Sequence, residues 1–125
     1  MTSRVRTVTF DAHAPYELAG FWLQVFKVER PDDDAPGDPY AAVVTDSVTL
    51  LFEQNNDEKA AKNRVHLDLE PDCPRDEEVE RILALGATIA HDRREPDGTG
   101  FVVMQDPEAN EFCVLRSATE RAATT

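Results

Sequence analysis

The chain lacks most of what would make it secreted, membrane-spanning or nucleic-acid-binding. Cysteine occurs twice, as Cys73 and Cys113. That is too few for a disulfide framework, and the spacing rules out a CxxC metal knuckle. Both read as free thiols. No apolar run approaches the roughly 18 residues needed to cross a bilayer, and no signal-peptide core lies between Met1 and Phe26. The expected location is the cytoplasm. Basic residues are scarce, 13 Lys and Arg against 25 Asp and Glu, for a net charge of −12. Such a field repels phosphate backbones and anionic membrane surfaces, so neither nucleic acid nor membrane is an expected partner. Also missing are a Gly-rich phosphate loop, an HExxH pair and a Ser-His-Asp arrangement, which removes support for nucleotide binding and hydrolase chemistry.

What is there suits a globular chain: 41% apolar and 30% charged residues over 125 positions, enough for one core-bearing domain or two closely fused modules. An internal repeat organises it. The alternating segment Val5–Asp11 is followed by Pro15, and the alternating segment Val65–Glu70 by Pro74. Thr7 to Pro15 and His66 to Pro74 are both eight residues. A helix is predicted over Pro15–Phe26, with Leu18, Phe21, Trp22, Val25 and Phe26 at i, i+3, i+4, i+7 and i+8. A second is predicted over Pro74–Leu85, with Asp76, Glu77 and Glu78 at its positive end, Val79, Ile82 and Leu83 on its buried face, and Gly86 as a left-handed cap.

Strands follow each helix: Tyr40–Thr45 and Val48–Gln54, then Thr88–Asp92, Phe101–Gln105 and Glu111–Arg116. Arg30–Pro39, Asn55–Asn63 and Asp97–Gly100 read as loops, rich in acids, prolines or glycines. The expected fold class is α+β, two βαβββ modules over 1–57 and 58–117 and a flexible tail over 118–125. Their mixed sheets are expected to curl into a cup with the helices on its convex side.

Side chains alternate along a strand, so each strand splits into two faces before any fold is assumed. One face carries Val8, Phe10, Leu50, Phe52, Val65, Leu67, Leu69, Phe112 and Val114 and suits a layer under the helices. The other carries Thr7, Thr9, Asp11, Glu53, His66, Asp68, Glu70, Glu111 and Cys113, polar and ionisable throughout. Phe101 and Val103 are expected on that same side as an apolar wall. A plain solvent face gives the same alternation; a ligand site needs the two polar faces to enclose a concavity.

These residues resemble the vicinal oxygen chelate superfamily, which includes glyoxalase I, bleomycin-resistance proteins and extradiol dioxygenases. Asp106-Pro107-Glu108-Ala109-Asn110-Glu111-Phe112 is similar to the family's Asp-Pro-x-Gly-Asn-x-Phe turn before the last strand, with Ala109 in place of the glycine. Leu18–Trp22, Asn63–Leu69 and Asp92–Gly98 extend the likeness to the actinobacterial glyoxalase-like branch. The resemblance implies a metal ligand on the first and last strand of each module. Carried over, those positions are Thr7, Glu53, His66 and Cys113, where His or Gln and then Glu are the family's choices. His66 and Glu53 can ligate a divalent ion, but Thr7 and Cys113 leave the set incomplete.

The reading that follows is a small-molecule-binding protein that sequesters a ligand without a complete metal centre. Thr7, Thr9, Asp68, Phe101, Val103, Glu111 and Cys113 would contact the ligand, and acidic residues such as Glu53, Asp68, Glu70 and Glu111 would favour a cationic or hydrogen-bonding one. The alternative is a lyase, isomerase or epimerase with His66 and Glu53 as proton-transfer groups, with or without a metal. The resemblance also implies a homodimer.

Overall fold

The computed structural model describes residues 2–123, and the chain divides into two compact units, Met1–Glu58 and Lys59–Thr125. The expected α+β class holds, with two separate mixed sheets and three helices. Among the described residues no helix is long and apolar enough to cross a membrane.

The first unit runs β1 (Thr7–Ala12), α1 (Pro15–Phe26), β2 (Tyr40–Val44), β3 (Thr49–Gln54). Its sheet has the order β1-β3-β2, with β1 parallel and β2 antiparallel to β3. Pro15 opens α1 where a missing N–H costs nothing, and Lys27 closes it at φ 54° with its N–H on the Leu23 carbonyl. Leu18, Phe21, Trp22 and Val25 are buried, as the helical spacing requires. The helix lies against β2 and β3, whose Ala41, Val43, Leu50 and Phe52 are also buried. Phe10 stacks on Phe52 with ring centroids 5.5 Å apart.

This unit has two strands after its helix, one fewer than a full βαβββ repeat. Pro31, Pro36 and Pro39 cannot donate to a ladder, so the stretch before β2 stays irregular. Asp34 Oδ2 accepts the Ala42 N–H at 2.8 Å, satisfying edge strand β2 where another strand would have paired.

The second unit has the whole order: β4 (Leu67–Leu69), α2 (Arg75–Ala84), β5 (Thr88–Arg94), β6 (Gly100–Gln105), β7 (Glu111–Val114), then α3 (Ala118–Ala123). The sheet order is β4-β7-β6-β5, with β4 parallel to β7 and the other pairs antiparallel. Strand β4 is shorter than the alternation from Val65 predicts, and Val65 is 73% exposed. Ladder pairing stops at Phe112 because the Glu111 N–H is already held by Asn63 Oδ1 at 3.1 Å. Val79 and Ile82 of α2 are buried, as are Val102, Met104, Phe112 and Val114 of the sheet. Gly86 adopts φ 118°, with Gly86 N–H on the Leu83 carbonyl and Ala87 N–H on that of Ile82, a Schellman cap.

Two contacts shape this unit, the first of them without a local signature. Arg75, only 4% exposed, donates from Nη1 to the carbonyls of Thr99 at 3.0 Å and Gly100 at 2.9 Å, clamping the β5–β6 hairpin onto the start of α2. Residues 118–123, expected as part of a flexible tail, form α3 instead. Ser117 and Glu120 make a capping box there: Glu120 N–H donates to Ser117 Oγ at 3.1 Å and Ser117 N–H to Glu120 Oε1 at 2.9 Å. Residues 124–125 of that expected tail lie outside the described residues.

Candidate functional site

Register decides which polar side chains meet. In the second unit Asp68 on β4 pairs with Cys113 on β7, Cys113 with Val103 on β6, and Val103 with His91 on β5. These four share one face, opposite the buried Val102, Met104, Phe112 and Val114. Phe101 and Arg93, which pair two residues along, lie on the same face, as Leu115 does two residues beyond Cys113. The expected placement of Asp68, Cys113, Phe101 and Val103 on one side of the sheet is what the register gives.

His66, just before β4, turns its Nε2 to within 3.1 Å of Asp68 Oδ1. One donor atom each from His66, Asp68 and Cys113 lies within 4.8 Å of the other two. His66 and Asp68 are exposed, whereas Cys113 is buried at 6% exposure. Burial, and then the Asp68 carboxylate to which its S–H points, push the Cys113 thiol up to about 11. Without a bound ion it is therefore a neutral donor near pH 7 and not a nucleophilic thiolate.

Two acids from the polar list are engaged elsewhere. Glu111 is 8% exposed, with Lys62 Nζ 3.2 Å from Oε2 and the Asn63 N–H 3.3 Å from Oε1. Burial alone would raise its pKa, but the Lys62 ammonium and the Asn63 N–H outweigh that and hold it below the ordinary glutamate value. Glu70 Oε2 lies 2.7 Å from Arg121 on α3. Two of the acids expected to draw a cationic ligand to this unit, Glu70 and Glu111, are thus already paired with cations.

In the first unit Thr7 and Thr9 are exposed on β1, and Glu53 on β3 is half-buried, with the Tyr40 hydroxyl donating to it at 3.4 Å. Equal spacing along the chain aligned Thr7 with His66, and the ladders shift that alignment by two. Glu53 stands opposite Asp11 as Cys113 stands opposite Asp68, so Thr9 corresponds to His66, while Thr7 lies opposite Thr49. Neither threonine is a good ligand. Glu53 belongs to a different compact unit from the His66–Asp68–Cys113 cluster.

The donors do not fit the four-position metal set that the motifs imply. A tetrahedral shell with Zn–S near 2.3 Å and Zn–N near 2.0 Å puts neighbouring donors roughly 3.5 Å apart. Here three donors lie within 4.8 Å of one another, but only His66 and Cys113 stand at implied positions, and Asp68 takes the third place.

His91 and Arg93 were not singled out as site residues. Arg93 lies beyond the expected strand end at Asp92, whereas β5 runs on to Arg94, and a register shift between Ile89 and His91 puts His91 on the face opposite to that of Ile89. In the first unit His13 has Nε2 2.9 Å from the Asp57 carbonyl oxygen.

A family model described as a glyoxalase-like domain matches residues 7–115. No curated protein matches. Among solved structures, a glyoxalase/bleomycin resistance protein/dioxygenase family enzyme from Burkholderia phytofirmans PsJN is similar with a TM-score of 0.70 at 16% identity, covering 90% of this chain and 97% of that one. A fosfomycin resistance protein from Mesorhizobium loti has a TM-score of 0.65 at 20% identity, with 98% and 99% covered. Lactoylglutathione lyase from Agrobacterium tumefaciens has a TM-score of 0.62 at 21% identity, with 91% and 93% covered. At these identities the likeness is one of fold.

Proposed function

Because the chain belongs to the glyoxalase-like domain family, we propose that it binds a small organic molecule on the exposed face of its second sheet, and does so without a complete metal centre. The observation that carries this reading is Cys113. At the last-strand position where the family resemblance calls for a charged carboxylate, the chain has a buried thiol paired across the ladder with Asp68. His66, turned onto Asp68, supplies a hydrogen-bonding edge at the rim, and Phe101 and Val103 supply apolar surface. A pair of polar groups beside an apolar wall orients a ligand by hydrogen bonds and holds it by area.

The test is metal analysis of protein produced with Zn, Ni, Mn and Fe supplied, run beside an NMR screen of small organic fragments. The expected outcome is substoichiometric metal together with fragment-induced shifts in the amides of β4, β6 and β7. Stoichiometric metal lost in His66→Ala would overturn the reading in favour of a metal-dependent lyase or isomerase using His66 and Glu53. An absence of fragment shifts on those three strands would also overturn it.

A further inference from the structure

The exposed face of the second sheet has a charge gradient that runs across its strands. On the β4 side Glu70 is paired with Arg121 at 2.7 Å and Glu111 with Lys62 at 3.2 Å, while Asp68 has the His66 ring at 3.1 Å. The β5 side carries His91 and Arg93, both exposed and neither in an ion pair among the described residues. Arg94 and Asp92, their alternating neighbours, are paired to each other at 2.6 Å, so Asp92 is not available to neutralise Arg93. Between the two sides lie Phe101, 39% exposed, with Val103 and Leu115 half-buried. The register puts Arg93 directly beside Phe101 and His91 directly beside Val103.

A guanidinium next to an open aromatic ring, with Glu70 and Glu111 already paired, recognises a flat apolar body that carries one anion. A cation placed on the same ring would meet Arg93, which the register sets beside it. We propose that this face selects a flat aromatic monoanion, with its ring over Phe101, Val103 and Leu115 and its carboxylate or equivalent oxyanion at Arg93, with His91 beside it. The inference rests on the ligand-binding reading above and reverses the cationic preference that the bare count of acids suggests.

The full chain is titrated by NMR with naphthalene-2-carboxylate, its neutral carboxamide and its cationic amidine, three probes of one shape. The carboxylate is expected to shift the amides of β5 and β6 with a Kd of roughly 1 mM or below, as a fragment of this size allows. The carboxamide is expected to bind about tenfold more weakly, and Arg93→Gln to cost the carboxylate about tenfold or more, in line with a charge-assisted hydrogen bond. The dispersion of the spectrum checks that the variant is folded. Amidine binding on these strands as tight as the carboxylate's, or an unchanged carboxylate affinity in Arg93→Gln, would overturn the anion preference while leaving the ligand-binding reading in place. If none of the three shifts any strand of this sheet, both fall together.

Discussion

Ala109 shows how a single substitution in a motif is absorbed. It sits at φ 68°, in the left-handed region where glycine is the unstrained residue. The turn keeps its form because Asp106, buried beneath it, accepts from the Glu108 N–H at 2.9 Å, the Asn110 N–H at 3.0 Å and Asn110 Nδ2 at 2.9 Å. Those bonds over-determine the backbone and hold the alanine in place. Ala109→Gly is therefore expected to raise stability by about 0.5–1 kcal/mol, read as a higher urea midpoint at unchanged slope. A lower midpoint would mean that the left-handed geometry carries no strain here. The need for positive φ at this position was legible from the motif alone, whereas the bonding that tolerates alanine was not.

At the scale of elements, Arg75 is the most informative contact. Its charge opens α2, where a cation is unfavourable beside the positive end of the helix dipole, so in the sequence it passes for an ordinary surface residue. The fold instead buries it, with Nε 3.0 Å from Asp76 Oδ1 and Nη1 on the hairpin carbonyls. Glu120 Oε1 accepts the Arg75 N–H at 2.7 Å, so α3 closes onto the same place. Arg75→Ala strips the donors from carbonyls that water reaches poorly and is expected to cost about 2–4 kcal/mol. Hydrogen exchange should show the loss first in the amides of β5 and β6. Gly100 belongs to the same junction: it sits at φ 92°, and a Cβ there would stand 2.1 Å from the Arg93 carbonyl oxygen. The hairpin loop was readable from Asp97–Gly100, but the arginine that holds it comes from 24 residues away.

For the molecule as a whole, the net charge of −12 is offset where it matters by local pairing in the second unit. Asp76, Glu111 and Glu120 all titrate below their ordinary values, Asp76 through its hydrogen bond to Arg75, the two glutamates through donors that outweigh the cost of burial. A carboxylate whose folded pKa is depressed adds stability that is fully present above its unfolded pKa and is lost as pH falls through the folded one. Acid unfolding of the second unit is thus expected to set in below about pH 4.5, the ordinary glutamate value, with amide protection in β5–β7 falling as pH drops toward 2. Retention of full protection to the end of that range would contradict it. Helices α1 and α2, the faces of most strands and the final turn were determined by the sequence itself, because periodicities of 2 and 3.6 residues and a Pro-containing turn motif are local properties. Only the tertiary structure decided the ladder register that aligns Thr9 with His66, the missing strand before β2, and the pairing of Glu70 and Glu111 with Arg121 and Lys62. Those depend on where distant segments close against one another, which the alternation of a strand does not encode. The same closure pairs Glu70 and Glu111 and leaves Arg93 without an ion pair among the described residues on a face that is acidic by count.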